Sequence, residues 1–162
     1  MRYMLLIKLM YLLDRHALLK WGRPVTGAEY FSMKLGPVLS EVLDLINQPP
    51  DPDQEGYWKT HISDPADYSV QLVADPGDDD LSEAEEDVIQ KLFDKYGGYD
   101  PFVLAGLLHD ILPEWTRVEQ GRVPIPISSI LKAKRKSNEE IAAIESDLSA
   151  VAKVQRMFAP RR

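Results

Sequence analysis

The stretch Lys8–Ile46, KLMYLLDRHALLKWGRPVTGAEYFSMKLGPVLSEVLDLI, decides how this chain folds. Its first part reads as a helix over residues 4–20 that is apolar around most of its circumference. At about 100° per residue, Tyr3, Ile7, Met10, Tyr11 and Leu18 surround Asp14, while Leu5, Leu9 and Leu12 occupy another side. Lys8 and Arg15 share one narrow polar strip, and His16 and Lys20 lie near a second. A helix so widely apolar packs on several sides. Asp14 is the anomaly, because a buried carboxylate without partners is costly or neutralises. We read it as structural. It accepts hydrogen bonds from backbone N–H groups or from a His or Trp, and holds Gly36-Pro37 or another nearby turn against the helix. No second carboxylate or His sits at a spacing that places it beside Asp14 for acid–base work.

Gly22 and Pro24 stop this helix. Between Ala28 and Leu35, Phe31, Met33 and Leu35 alternate with Tyr30, Ser32 and Lys34, which favours a short strand. The capping-box spacing of Thr26 and Glu29 makes a short helix the competing reading. Pro37 suits a first helical position, and Val38, Val42 and Leu45 with Leu39, Leu43 and Ile46 make the buried stripe of a second helix. A loop follows over residues 47–56. Tyr57–Ser63 and Tyr68–Ala74 then flank Asp64-Pro65-Ala66-Asp67 as a β-hairpin, giving a winged-helix-like order of elements.

The second half is helical. Ser82 with Glu85 forms a capping box after the acidic run Asp75–Asp80, and Val88, Ile89, Leu92, Phe93 and Tyr96 face inward until Gly97-Gly98. Asp100-Pro101 starts a helix carrying Val103, Leu104, Leu107, Leu108 and Ile111, and Pro113 a short one through Trp115. Residues 124–130 are extended or turned. Ser137 with Glu140 caps a last helix running to about Phe158. Its stripe of Ile141, Ile144, Leu148, Val151 and Val154 must dock on something, because one amphipathic helix of this length is marginal alone.

Composition narrows the class. The 162 residues carry a net charge of −7, and 44% are hydrophobic, enough for one packed domain. Residues 1–116 hold 9 basic and 21 acidic side chains, whereas 117–162 hold 10 and 5. An acidic body repels phosphates, so nucleic acid is an unlikely partner unless Lys132–Lys136 in the basic tail supplies the contacts. Without cysteine there is no disulfide or thiol chemistry. The apolar start is broken by Lys8, Asp14 and Arg15, which excludes a signal peptide, and no run approaches the ~20 residues of a membrane span. The cytoplasm is the expected location. His16, His61 and His109 lack metal-ligand spacing, and the Asp78–Asp80 run lacks the pattern of a calcium loop. Neither a phosphate loop nor a nucleophile elbow is present, so we expect no catalytic residue, cofactor or metal site.

Together these residues resemble the Panacea domain family, the SocA-like antitoxins once described as a phage-associated domain of unknown function. The resemblance is carried by Lys8-Leu9, Tyr11, Asp14-Arg15-His16, Gly22-Arg23, Thr26-Gly27, Tyr30, Met33 and Gly36-Pro37-Val38. It continues through Leu81-Ser82 with Glu85, Tyr96-Gly97, His109 and Trp115, and the tail from Pro124 through Leu148 looks like the family's extended version. The resemblance implies a largely helical domain. With the elements read above, we expect an α+β, mostly helical fold, with N-terminal helices and a small hairpin before a helical second half, a core domain over 1–125 and, over 126–162, an extension docked on it. The implied function is that of an antitoxin binding a cognate protein toxin encoded by an adjacent gene. One branch of the family acts instead as an adaptor delivering the toxin to a cytosolic protease, and a DNA-binding phage or plasmid regulator is a further alternative. Relatives often carry an additional helix before the Lys-Leu-x-Tyr motif, whereas Lys8 here has seven residues before it. The first helix would then expose surface for a neighbouring helix, a second copy or the toxin. We also expect Ile141, Ile144, Leu148 and Val151 to border the toxin interface.

Overall fold

The structure, a computed structural model, describes residues 1–47 and 56–158; most of the loop expected at 47–56 lies outside them. It is α+β and mostly helical, as the sequence implies. At its centre stands α1 (Tyr3–Trp21), one residue longer at each end than expected. It packs against β2 (Gly36–Leu39), α2 (Ser40–Asn47), α4 (Glu83–Tyr96), α5 (Pro101–Ile111) and α6 (Ile127–Ala133). That encirclement explains an apolar circumference, with Leu5, Ile7, Leu12, Leu13, Ala17 and Leu18 all buried. Gly22 ends α1 with a left-handed φ of 72°, its N–H donating to the Leu18 carbonyl at 3.0 Å. A Cβ there would lie 3.5 Å from Ile144, so α7 (Asn138–Phe158) packs over the end of α1.

The small sheet lies earlier than expected. β1 (Tyr30–Met33) pairs antiparallel with β2, with Tyr30 opposite Leu39 and Met33 opposite Gly36. On its other edge β1 pairs with β3 (Val123–Pro124), giving the order β2-β1-β3. Pro37 is therefore a strand residue, not the first residue of a helix. It sits on an edge strand, where a missing N–H is tolerated, and the helix starts only at Ser40. The buried face of β1 is also the opposite of the expected one: Tyr30 and Ser32 point inward, while Phe31 and Met33 are half-buried. Polar bonds override the hydrophobic alternation here. The Ser32 hydroxyl accepts from the Thr116 N–H at 3.0 Å, and Arg122 covers the Phe31 ring at 4.7 Å.

The hairpin read at 57–74 is only half present. Tyr57–His61 is a short helix, α3, and the rest meets through isolated bridges between Ile62 and Leu72 and between Ala66 and Ser69. Its turn is Asp67-Tyr68, both left-handed at φ 48° and 60°, as a primed hairpin turn requires. The helix expected at Pro113 is a turn, and the extended stretch at 124–130 gives way to α6 from Ile127.

The helix caps follow the sequence closely. The Ser82 N–H donates to the Glu85 carboxylate at 2.9 Å, and Asp100 accepts from the Phe102 N–H at 2.9 Å. The Ser137 N–H donates to Glu140 at 2.8 Å, and the Glu140 N–H returns to the Ser137 hydroxyl at 3.2 Å. Of the apolar residues read as the buried stripes of these helices, Leu45, Ile89, Phe93, Val103 and Ile111 are instead exposed, at the margins of faces narrower than the sequence pattern.

Ile130, Leu131 and Ile141 belong to the same buried cluster as Leu12, Leu104 and Leu108, and Ile144 and Leu148 pack against it. The first turns of α7 are thus core. Truncating Ile141 to Ala should cost about 2–5 kcal/mol, as removal of a buried aliphatic side chain does. Urea melts of the two proteins measure it directly.

Candidate functional site

Along one side of α1 the residues Lys8, Tyr11, Asp14 and Arg15 recur at three- and four-residue steps, so they share a face. The polar strip assigned to Lys8 and Arg15 lies inside the protein. Lys8 is 1% exposed, because its ammonium donates to the Pro37 carbonyl at 2.8 Å. Arg15 forms an ion pair with Glu114, whose side chain is fully buried, and Tyr11 donates to the same carboxylate at 2.9 Å. The two halves of the chain are joined by these bonds. Glu114 had no sequence signal, being one acid among many, and only the fold places it beneath α1.

Asp14 is 0% exposed and its partners are all neutral donors. The N–H groups of Val25 and Thr26 each lie 2.8 Å from one oxygen, and the Thr26 and Tyr30 hydroxyls donate to the other. Asp14 therefore holds the turn after α1, and not Gly36-Pro37, which falls to Lys8. Hydroxyls take the place of the His or Trp donors read from sequence. Burial and the neighbouring Asp14 charge push the Tyr30 phenol well above its ordinary range, and burial and Glu114 do the same for Tyr11, so both stay protonated donors.

The second-half residues meet this row at the β1–β2 turn. Gly36 takes a φ of 95°, and a Cβ on it would lie 3.2 Å from the Lys8 nitrogen and 3.5 Å from His109 Nε2. Glycine is required there both for the turn and for the approach of the lysine head. His109 stacks on Trp115 at 3.8 Å between centroids, and the indole N–H donates to the Met33 carbonyl at 3.1 Å. His109 Nε2 is buried without a hydrogen-bond partner among the described residues. Burial, then the adjacent Lys8, hold this imidazole below its usual pKa and hence neutral. Pro37 and Val38 are buried in β2. His16 stands apart: it is exposed on α1, edge-on to Trp21, and joins none of these groups.

Above Lys8 the surface opens into a groove of about 660 Å³ that sequence reasoning did not foresee. Its floor is Ile7, Lys8 and Gly36. Its walls come from Tyr3 and Met4 of α1, the Met33–Leu35 turn, Val38, Leu43 of α2, Tyr68 and the Pro101-Phe102 start of α5. The walls gather from four distant segments, which is why no local pattern announces them. Leu35, Tyr68 and Phe102 are exposed at 43%, 76% and 60%. Of the α7 residues expected at an interface, Ile141, Ile144 and Leu148 pack on the core, while Val151 is 54% exposed.

A family model described as antitoxin SocA-like, Panacea domain, matches residues 6–116. This chain belongs to that family. No curated protein and no solved structure gives a match. The Panacea match spans the whole polar row, the sheet's first two strands, Glu114 and the groove except its Arg2–Met4 wall, and ends before β3, α6 and α7. No helix among the described residues is long and apolar enough to cross a membrane.

Two measurements probe the row. Replacing Asp14 with Ala should cost about 1–3 kcal/mol or more in urea melts, because it strands buried donors. Lys8 provides the second, since burial lowers its pKa to about 7 from an ordinary value near 10.5. Between those values the unfolded chain binds the proton that the folded one has released, so stability rises with pH across the window. Wild type should gain stability relative to Lys8→Met from pH 7 to about 10, and a flat difference would show the amine keeping its proton.

Proposed function

We propose that this protein is an antitoxin that neutralises a cognate protein toxin by binding it directly, and that it acts in the cytoplasm. Membership of the Panacea family supports an antitoxin role and, in general, a toxin partner. The observation that carries direct binding is the groove beside α1. An open apolar concavity rimmed by exposed Leu35, Tyr68 and Phe102 is the surface expected of a recognition site, on a chain otherwise carrying a net charge of −7. Its floor is braced by Lys8, which ties α1 to the β1–β2 turn. The contact surface is thus held in place before a partner arrives, which limits the ordering cost of association.

The end of α7 offers a second contact. Val151, Val154 and Met157 continue the helix's stripe past Leu148 and remain exposed. In this reading Val151, Val154 and Met157 contact the toxin, while Ile141, Ile144 and Leu148 serve the core.

Expression of the adjacent gene should arrest growth, and co-expression of this protein should restore it through a complex that co-purifies. Leu35→Asp with Phe102→Asp should abolish rescue while leaving the melting curve close to wild type. Val151→Asp with Val154→Asp should weaken co-purification. Rescue without any detectable complex, accompanied by loss of the toxin, would replace neutralisation by binding with delivery to a protease. A harmless neighbour would remove the reading altogether.

A further inference from the structure

The charges around the groove run against those of the protein as a whole. The chain has 26 acidic and 19 basic side chains, yet among the described residues the groove is lined by Arg2, Lys8 and Lys34 and by no acid. Arg2 is engaged, its guanidinium 3.5 Å from Asp100 just outside the lining. Lys34 is exposed at the tip of the β1–β2 turn and forms no ion pair among the described residues. Lys8 in the floor gives one donor to Pro37 and has no carboxylate partner among the described residues. Lys34 therefore stands beside an apolar trough with the Lys8 amine in its floor, and no acid among the described lining residues meets either.

We propose that the groove takes an apolar segment of a partner protein that carries a carboxylate side chain, the carboxylate pairing with Lys34 at the groove's edge, near Lys8. The inference rests on the antitoxin reading only in calling that partner a toxin. A protein segment fits better than a small molecule. The rim residues Leu35 and Phe102 stand out to solvent, where they would cover the flanks of a bound chain. The pairing sets register as well as strength, because a charge fixed at one end of an apolar trough rejects segments that place an acid elsewhere or a base there. A carboxylate drawing near would also favour the protonated form of Lys8, whose ammonium is otherwise disfavoured by burial.

The test pans a displayed library of random short peptides against the full chain. Enriched sequences should combine a large aliphatic or aromatic residue with Asp or Glu within about one helical turn. Their affinity should fall about tenfold on Lys34→Glu and on Phe102→Asp, and hold on Lys91→Glu, a matched charge reversal on α4. Changing the peptide's acid to its amide should weaken binding to wild type and have little effect on Lys34→Glu, since the two changes remove one interaction. The three exposed positions leave the fold intact, which circular dichroism verifies. Selected peptides without an acid, or equal binding to Lys34→Glu, would overturn the proposal. So would displacement of the peptides by laurate at equal stoichiometry with no acidic preference, which would make the groove a fatty-acid site. A dimer that Leu35→Asp dissociates would assign the groove to a second copy. Acidic peptides that bind a chain with no neutralising activity would sink the antitoxin reading and leave the groove's chemistry standing.

Discussion

A carboxylate sealed from water with no cation beside it among the described residues has to be stabilised by neutral donors, and the architecture around Asp14 is the solution to that requirement. Its two oxygens gather two backbone N–H groups and two hydroxyls from the segment between Val25 and Tyr30. Gathering them fixes the chain's exit from α1. That in turn sets Tyr30 at the start of β1, turns its ring edge-on to Tyr11 at 5.7 Å, and sends the strand across the helix. Charge-assisted hydrogen bonds are stronger than neutral ones, so four on one group make a stiff joint. The remaining members of the row extend the same logic to longer range. Lys8 fastens the returning strand, and Arg15 with Tyr11 fastens Glu114, about a hundred residues away in sequence.

What the sequence made legible follows from how local each signal is. Helix ends were readable at Ser82, Asp100 and Ser137 because a cap is settled within four residues. The all-round burial of α1 was readable from Leu5, Leu12 and Leu18 because a wide apolar arc has no other stable fate. Phe31 and Met33 misled, since alternation reveals a strand and not which of its faces is covered. Tyr30 and Ser32 were drawn inward by Asp14 and Thr116, two partners remote in sequence. Lys8 misled for the same reason. A lysine on a helix reads as solvated until a carbonyl such as that of Pro37 is found within its reach. The family resemblance had marked Lys8, Gly36, His109 and Trp115, and the structure gives them a common neighbourhood around one turn.

The division of labour in the molecule is between polar groups that hold and apolar groups that meet solvent. The charged and hydroxylated row is buried, while Leu35, Tyr68, Phe102 and Val151 are at the surface. Proteins normally show the reverse, so each exception has a physical account. The buried row ties α1 to the turn after it, to β2 and to Glu114, so that each bond fixes where a second segment sits. The exposed apolar groups are stable at the surface in isolation and gain most when something covers them.

β3 carries a last consequence. Its two residues close the free edge of β1, and the Ile125 N–H donates to the Tyr30 carbonyl at 2.8 Å, yet all three lie beyond the span of the family match. A protein cut to residues 6–116 would leave a row of unsatisfied backbone groups along Tyr30–Met33, next to a half-buried Phe31. Such an edge pairs readily with its own kind. The short segment after Thr116 therefore covers an edge that would otherwise be open to self-pairing, and a minimal version of this domain would have to be drawn around its strands, not around its motif.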